Sequence, residues 1–312
     1  MTSDKRKIIV ATRKSELALT QSRQFLAQLV AVHPHVEIEE LHVVTTGDKI
    51  VDRPLSEIGG KGLFLKEIEE ALLDGSADIA VHSLKDVPPE LHPGLEIACI
   101  PEREDPRDAL ISRDGRSFDE LQQGSRLGTS SLRRGVQLKA LRPDLIVVPL
   151  RGNVGTRIRK CREGEVDATV LAHAGLRRLG LENEIAELLS SERSLPAVGQ
   201  GALAIEIRSS DEELRRLLAP LNHDDTLWAV TTERGVMTAV EGDCKTPVAA
   251  HAERVGEEMR LRGFLASPEG DVVVRQERRA AWPTTLEAAF RFGLELGHEL
   301  VAARAAAAST NG

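Results

Sequence analysis

Along the first hundred residues the apolar positions switch between the two periods of regular structure. Residues 7–11 form a short aliphatic run that reads as a strand. From Ser15 onward Leu17, Leu19, Phe25, Leu26, Leu29 and Val30 fall on a helical stripe, and Ser15 stands where an N-cap hydroxyl belongs. Residues 36–45 read as a second strand. After Gly59-Gly-Lys-Gly62, the apolar positions Phe64, Leu65, Ile68, Ala71 and Leu72 recur at helical spacing opposite Lys66, Glu67, Glu69 and Glu70, with Gly75 as the stop. A strand at 77–82 leads into Ser83-Leu-Lys-Asp-Val-Pro-Pro89. Strands alternating with helices predict an α/β fold, a parallel or mixed sheet with helices on both faces.

A faint repeat runs through this pattern. Asp74-Gly-Ser-Ala-Asp-Ile-Ala-Val81 and Glu163-Gly-Glu-Val-Asp-Ala-Thr-Val170 share a helix-ending Gly, an Asp three residues later and a Val three residues beyond that. Either the α/β module occurs twice, or two helix–glycine–strand connections merely look alike. Ile100-Pro-Glu-Arg-Glu-Asp-Pro106 reads as a crossing between halves, and a second crossing is placed near Leu195-Pro-Ala-Val-Gly-Gln-Gly201. From about Asn222 the character changes. A helix over 226–240 ends at Glu241-Gly-Asp-Cys-Lys-Thr-Pro247, and three strand-like stretches follow, separated by turn signals. A last helix over 284–303 runs into an alanine-rich tail expected to fray. This end of the chain predicts a small α+β unit built on a three-stranded antiparallel sheet.

Composition narrows the function classes. The chain has 312 residues, 41% hydrophobic and 29% charged, an ordinary globular balance with a length prior of about two domains. The longest aliphatic run, residues 145–150, is far short of a membrane span. No secretory signal is legible, and three scattered cysteines suit a reducing cytoplasm rather than a disulfide framework. None of the three has a metal-ligand partner at the usual spacing, so no metal site is expected. The absence of Tyr and the dispersal of six Phe and two Trp leave no base-stacking platform. Phosphate-loop, dinucleotide and common hydrolase signatures are missing as well.

Charge adds the most informative feature. Between Ser125 and Lys160 nine basic residues stand against the single acid Asp144, a local +8 inside a chain of formal net charge −8. A solvated helix face is the ordinary explanation of such a run. Yet Gly128-Thr-Ser-Ser-Leu-Arg-Arg134 and Leu150-Arg-Gly-Asn-Val-Gly-Thr-Arg157 each put small or hydroxyl-bearing residues and Arg at the start of a helix. Backbone N–H groups, the helix dipole and guanidinium forks would converge there on a ligand with several carboxylates or phosphates. The other half offers Ala11-Thr-Arg-Lys-Ser15, Gly60-Lys-Gly62 and Ser83-Leu-Lys-Asp86 at the ends of strands, where open α/β sheets hold ligands. Asp86 could stabilise a cation or simply make a turn. Cys244, in a loop, could react or be incidental, whereas Cys99 reads as a buried strand residue and Cys161 lies in a charged helix.

Taken together, eight segments resemble the porphobilinogen deaminase (hydroxymethylbilane synthase) family. They are Ala-Thr-Arg-Lys-Ser-Glu-Leu-Ala-Leu, Gly-Gly-Lys-Gly-Leu-Phe, Asp-Ile-Ala-Val-His-Ser-Leu-Lys-Asp-Val-Pro, Arg-Glu-Asp-Pro-Arg-Asp-Ala, Gly-Thr-Ser-Ser-Leu-Arg-Arg, Leu-Arg-Gly-Asn-Val-Gly-Thr-Arg, Leu-Pro-Ala-Val-Gly-Gln-Gly and Glu-Gly-Asp-Cys-Lys-Thr-Pro. They occur in order from Ala11 to Pro247. The resemblance implies two lobes like type II periplasmic binding proteins plus a small α+β C-terminal domain. The boundaries would be 1–100 with 199–220, then 101–198, then 221–312. It also implies a dipyrromethane cofactor joined by a thioether to Cys244. That primer would be extended by four porphobilinogen units, each losing ammonia, before water releases hydroxymethylbilane for tetrapyrrole (haem) biosynthesis.

By the same resemblance Asp86 would stabilise the azafulvenium cation formed as ammonia leaves. At about 4 Å and an effective dielectric near 20 this is worth up to ~4 kcal/mol, nearly a thousandfold in rate. Arg13, Ser15, Lys61, Lys85, Thr129, Ser131, Arg133, Arg134, Arg151, Arg157 and Arg178 would hold the acetate and propionate arms. Each ring brings two carboxylates, so a six-ring intermediate carries roughly twelve, more than these cations can each pair with singly. The growing chain is therefore expected to shift past Asp86, helped by hinging near the crossings. Many relatives have Gly where this chain has Asp243, and some have Lys where Glu57 stands. The implied partner is the small molecule porphobilinogen, with no nucleic acid and no membrane, the enzyme acting as a cytoplasmic monomer. A non-catalytic bilobal polycarboxylate-binding protein is the competing reading; it needs neither an adduct nor Cys244.

Overall fold

The computed structural model describes residues 6–49, 65–241 and 246–310. The Gly59-Gly-Lys-Gly62 segment with Lys61, together with Glu57, Asp243 and Cys244, lies outside the described residues. The chain divides into two compact units, Met1–Arg103 with Ala202–Leu227 and Glu104–Gly201 with Trp228–Gly312. The breaks after Arg103 and Gly201 fall within or at the end of the two segments read as crossings.

In the first unit β1 (Arg6–Arg13) is followed by a helix over Glu16–Val32, whose first turn is capped as expected: the Ser15 hydroxyl accepts the Ala18 N–H at 3.3 Å. The strand β2 (Val36–Val43) stops two residues short of the expected Thr45 because Thr46 opens a helical turn, where Glu67 accepts its N–H at 2.8 Å. The helix Lys66–Leu73 ends before Gly75, whose φ of 81° suits a residue without Cβ. Then come β3 (Ile79–Ser83), a one-turn 3-10 segment Leu84–Asp86, and β4 (Leu95–Cys99). The sheet closes with β10 (Leu203–Arg208), giving the order β2-β1-β3-β10-β4. The strands β1, β2 and β3 run parallel, and β10 is antiparallel to both of its neighbours. One face packs Ile8, Val10, Ile79, Val81, Ile205 and Ile207 against Phe25, Leu26 and Leu29 of the Ser15-capped helix. Fully burying such a side chain is worth about 1.5–3 kcal/mol, so this face dominates the unit's stability.

The second unit contains a sheet of the same design. Its strands are β5 (Asp108–Ser112), β6 (Arg126–Gly128), β7 (Ile146–Val148), β8 (Ala168–Ala172) and β9 (Glu187–Leu189), in the order β7-β6-β8-β5-β9. Again the first three in space are parallel and the fourth is antiparallel to both neighbours. The repeat is structural down to single hydrogen bonds. Asp78 accepts the Ile9 N–H through Oδ2 at 2.9 Å, and Asp167 accepts the Arg126 N–H through Oδ2 at 2.7 Å. Each Asp returns its own N–H to the carbonyl of the same partner. Gly75 and Gly164, the helix stops before them, both have φ of 81°. The fold is therefore α/β with two lobes of one topology, as the resemblance implied.

The same unit carries the three-stranded antiparallel sheet β11 (Val248–Val255), β12 (Glu258–Ala266) and β13 (Val273–Ala281). The helices Asp224–Val240 and Leu286–Thr310 bracket these strands in sequence. Val236, Val240, Leu261, Leu296 and Leu300 share a core there. The last helix does not fray at 303 but runs to Thr310, because its tail is mostly alanine, the residue with the highest helix propensity. The helix Asp224–Val240 ends at Glu241, a non-glycine residue in the left-handed region (φ 50°).

Candidate functional site

In the first unit the expected ligands sit at the carboxyl ends of the parallel strands. Arg13 is the last residue of β1 and Ser15 caps the helix that follows. Lys85 and Asp86 are exposed on the 3-10 turn directly after β3. The strand ends are braced from behind. Ser22 donates to the Thr12 hydroxyl at 3.0 Å, Gln21 donates to the Ser83 hydroxyl at 3.0 Å, and the Leu84 N–H bonds the Ala202 carbonyl at 3.0 Å. Beneath the turn, His82 and Glu206 form a buried pair at 2.9 Å. Asp86 is thus placed on a short turn between a fixed strand and Val87, whose N–H bonds the Leu84 carbonyl.

In the second unit the two predicted anion nests lie side by side, because the strands leading into them are paired. Gly128 of β6 is opposite Val148 of β7, the Thr129 N–H bonds the Val148 carbonyl at 2.9 Å, and Ser130 donates to the Leu150 carbonyl at 3.0 Å. A Cβ on Gly128 would lie 2.8 Å from the Leu150 side chain, so any larger residue there would have to push that side chain aside. Both following helices are capped by side chains. Ser131 accepts the Arg134 N–H at 3.4 Å to start Leu132–Leu141, and Asn153 accepts the Thr156 N–H at 2.8 Å to start Val154–Arg162. Thr129 also accepts the Ser131 N–H at 3.2 Å. Thr129, Ser131, Arg151 and Arg157 therefore belong to two adjacent helix starts. Arg178 ends the short helix His173–Arg178 after β8 and donates to the Gly201 carbonyl at 2.8 Å.

The electrostatics of this group are unusual. Arg157 has its pKa pushed down to about 10, first by burial and then by the charges of Arg134 and Arg151. Its Nε donates to the Gly152 carbonyl at 2.8 Å. The charges of Arg134 and Arg151 both reach Arg157, and an anion beside it would relieve that repulsion. Burial likewise pulls Arg178 below the usual arginine range.

Arg133 and Arg134 have a partner that the sequence reading did not assign. Both are buried on Asp108, the first residue of β5. Burial alone would raise the Asp108 pKa, but the charges of Arg133 and Arg134 outweigh it and hold the carboxyl well below the usual carboxylate range. Asp108 lay within the Arg-Glu-Asp-Pro-Arg-Asp-Ala segment, and the only signal was an acid opening an otherwise apolar strand. Its partners come from segments 25 and more residues away, which no local pattern reveals.

The described cysteines are both unreactive by environment. Burial pushes the Cys99 thiol up to about 12 and the Cys161 thiol up to about 11. Among the described residues no group of three or more His, Cys, Asp or Glu could hold a metal ion, and no helix is long and apolar enough to cross a membrane.

Two α/β lobes of one topology with the candidate ligand residues at their strand ends, followed by an α+β segment, define a two-lobed α/β protein. Comparison with known proteins sharpens that class. Residues 8–216 match the family model "Porphobilinogen deaminase, dipyromethane cofactor binding domain", and residues 227–302 match "Porphobilinogen deaminase, C-terminal domain". The chain is 56% identical over 293 residues to the porphobilinogen deaminase of Sorangium cellulosum (strain So ce56), covering 94% of this chain and 98% of that protein. The chain belongs to the porphobilinogen deaminase family. It is therefore an enzyme of tetrapyrrole synthesis that works from a dipyrromethane cofactor, and the non-catalytic binding reading is set aside. Among solved structures, a methionine-binding protein, MetQ, is 14% identical with a TM-score of 0.43, covering 70% of this chain and 91% of that one. A probable extracellular amino-acid-binding protein of Bacillus subtilis, ytmK, is 11% identical with a TM-score of 0.41, covering 69% and 90%. Both likenesses are too loose to bear on function.

Proposed function

We propose that this chain condenses four porphobilinogen molecules head to tail on a dipyrromethane held by Cys244, with Asp86 as the catalytic carboxylate and the strand-end cations as carboxylate ligands. When bound, the dipyrromethane supplies a free pyrrole α-carbon as the nucleophile. The observation that carries the ligand assignment is the geometry of two side-chain-capped helix starts held side by side by the pairing of β6 with β7, with Arg151 and Arg157 at the second of them. Backbone N–H groups at a helix start favour an anion, and the charges of Arg134 and Arg151 that reach Arg157 favour one beside it as well. Arg151, Arg157 and Arg178 would pair with acetate and propionate arms in the second unit, with Thr129 and Ser131 setting the helix starts. Arg13, Ser15 and Lys85, together with Lys61, would do so in the first.

Asp86 would lie against the pyrrole N–H groups, favour the positive charge that develops as ammonia leaves, and take part in proton transfer. Its turn is fixed on both sides, so little reorganisation accompanies that charge development. The attachment to Cys244 gains support from the inertness of the other two thiols. We also propose that residues 221–312 act as a separate third domain, that the enzyme works as a cytoplasmic monomer, and that it takes neither nucleic acid nor membrane as partner. The matched C-terminal family model supports the separate third domain, and the net charge of −8 argues against a nucleic-acid or anionic-membrane partner.

Turnover of porphobilinogen by Asp86→Asn, in enzyme shown by mass to carry its cofactor, tests the catalytic assignment. A loss of about a hundredfold or more in kcat with the thermal midpoint unchanged is expected. Activity within threefold of the parent enzyme, roughly 0.6 kcal/mol, would remove Asp86 from the mechanism.

A further inference from the structure

The six donors gathered on Asp108 go beyond what a structural ion pair requires. Oδ2 accepts Arg133 Nη1 at 2.8 Å and Ser194 Oγ at 2.7 Å. Oδ1 accepts Arg133 Nη2 at 3.2 Å, Arg134 Nε at 3.0 Å, Arg134 Nη2 at 2.8 Å and Gln200 Nε2 at 2.9 Å. The two arginines are held differently. Arg133 turns both terminal nitrogens inward, and its Nη1 also bonds the Leu195 carbonyl at 2.6 Å. Arg134 is gripped along its Nε–Nη2 edge, and it is Arg134 whose charge, with that of Arg151, depresses Arg157.

We propose that Asp108 is a positioning residue for substrate binding, which divides the work of the Arg133–Arg134 pair. Arg133 serves as the internal counter-ion and tether to the Leu195 segment. Arg134, clamped along one edge, is oriented so that its charge joins Arg151 and Arg157 in taking a carboxylate of the bound pyrrole chain. A guanidinium fixed along one edge cannot swing, so its remaining donors meet the ligand at a set angle with little further loss of side-chain entropy. Ser194 and Gln200 hold the carboxylate itself, and Gln200 is anchored in turn through the Pro106 carbonyl at 2.6 Å. The sequence reading gave Arg133 and Arg134 the same task; the geometry gives them two.

This inference rests on the proposal that Arg134 binds a carboxylate, so the experiment separates the two. Steady-state KM and kcat for porphobilinogen are measured on cofactor-loaded Arg134→Lys, Asp108→Asn and Ser194→Ala enzymes, each corrected for active fraction, beside their thermal midpoints. Arg134→Lys is expected to raise KM by about tenfold, because lysine keeps the charge but not the two-pronged geometry. Asp108→Asn should raise KM by a similar factor of about five to ten while kcat stays within about threefold. Ser194→Ala removes one hydrogen bond without stranding a buried charge, and should raise KM by about two- to threefold. A purely structural Asp108 would lower the midpoint and the active fraction and leave KM alone. KM within about 1.5-fold of the parent in Ser194→Ala and in whatever Asp108→Asn enzyme folds, with Arg134→Lys still impaired, would overturn the positioning role. An unaltered KM in Arg134→Lys would instead overturn the underlying assignment of Arg134, and the positioning role with it.

Discussion

Replacing Arg157 by methionine should make the protein more stable and the enzyme worse. In the folded chain its pKa is pushed down to about 10, by burial first and by Arg134 and Arg151 after that. A fall of that size from the ordinary arginine range means that keeping Arg157 charged costs the fold about 3 kcal/mol. Methionine fills similar space without charge. The replacement forfeits the 2.8 Å hydrogen bond to the Gly152 carbonyl, worth about 1.5 kcal/mol for a charged donor. The net gain is then about 1–2 kcal/mol, or about 2–4 °C in thermal midpoint for a chain of this size. The same variant loses a carboxylate partner, so KM for porphobilinogen should rise by about tenfold or more.

The pH dependence has a definite sign. Below pH 10 both folded and unfolded chains carry the charge and the penalty is complete. Between pH 10 and the ordinary arginine range the folded side chain releases its proton first, the unfolded state binds more protons, and stability rises with pH. The advantage of Arg157→Met at pH 7 should therefore shrink by about 1 kcal/mol at pH 11. Differential scanning calorimetry of the two proteins at both pH values, with parallel kinetics, measures every part of this. A lower midpoint for Arg157→Met at pH 7, or an unchanged KM, would refute the claim that this cation is held against its own stability for a ligand.

Three further outcomes follow from the geometry. Glu241 adopts a left-handed backbone at the end of its helix, which costs a residue with a Cβ about 1 kcal/mol, so Glu241→Gly should raise the thermal midpoint by about 2 °C; a lower midpoint would contradict it. Asp78→Ala and Asp167→Ala should each destabilise by about 1–3 kcal/mol in urea titrations, the first more, because Arg208 bonds Asp78 at 2.8 Å while Arg113 and Arg126 stand 3.9 and 3.7 Å from Asp167. Iodoacetamide at pH 8 should leave Cys99 and Cys161 unmodified in the native protein, since burial keeps both thiols protonated; peptide mapping that found either alkylated before unfolding would show the cores to be looser than described.

Local features of the fold were legible because their causes are local. Ser15 caps its helix, Gly75 stops another, and the first crossing stands out through proline and charge. The repeat was visible only as a Gly, an Asp and a Val at shared spacing, and its meaning came from pairing. Asp78 and Asp167 each close a ring of hydrogen bonds with the neighbouring parallel strand, a contact spanning 69 residues in one lobe and 41 in the other. The candidate site divides along the same line. Arg151 and Arg157 could be read from their position at helix starts. The separate fates of Arg133 and Arg134 could not, because Asp108, Ser194, Leu195 and Gln200 reach them only through the tertiary fold. The alanine-rich tail was expected to fray, whereas the intrinsic helix propensity of alanine carries the helix on to Thr310.

The central claim is that Cys244 holds a dipyrromethane on which the chain builds its product. Intact mass spectrometry of the purified protein and of Cys244→Ser tests it most directly. The parent should be heavier than its 34.0 kDa sequence by two pyrrole units, and the variant should weigh what its sequence weighs and turn over no porphobilinogen. A parent at its bare sequence mass, or an adduct that persists in Cys244→Ser or maps to Cys99 or Cys161, would contradict the account.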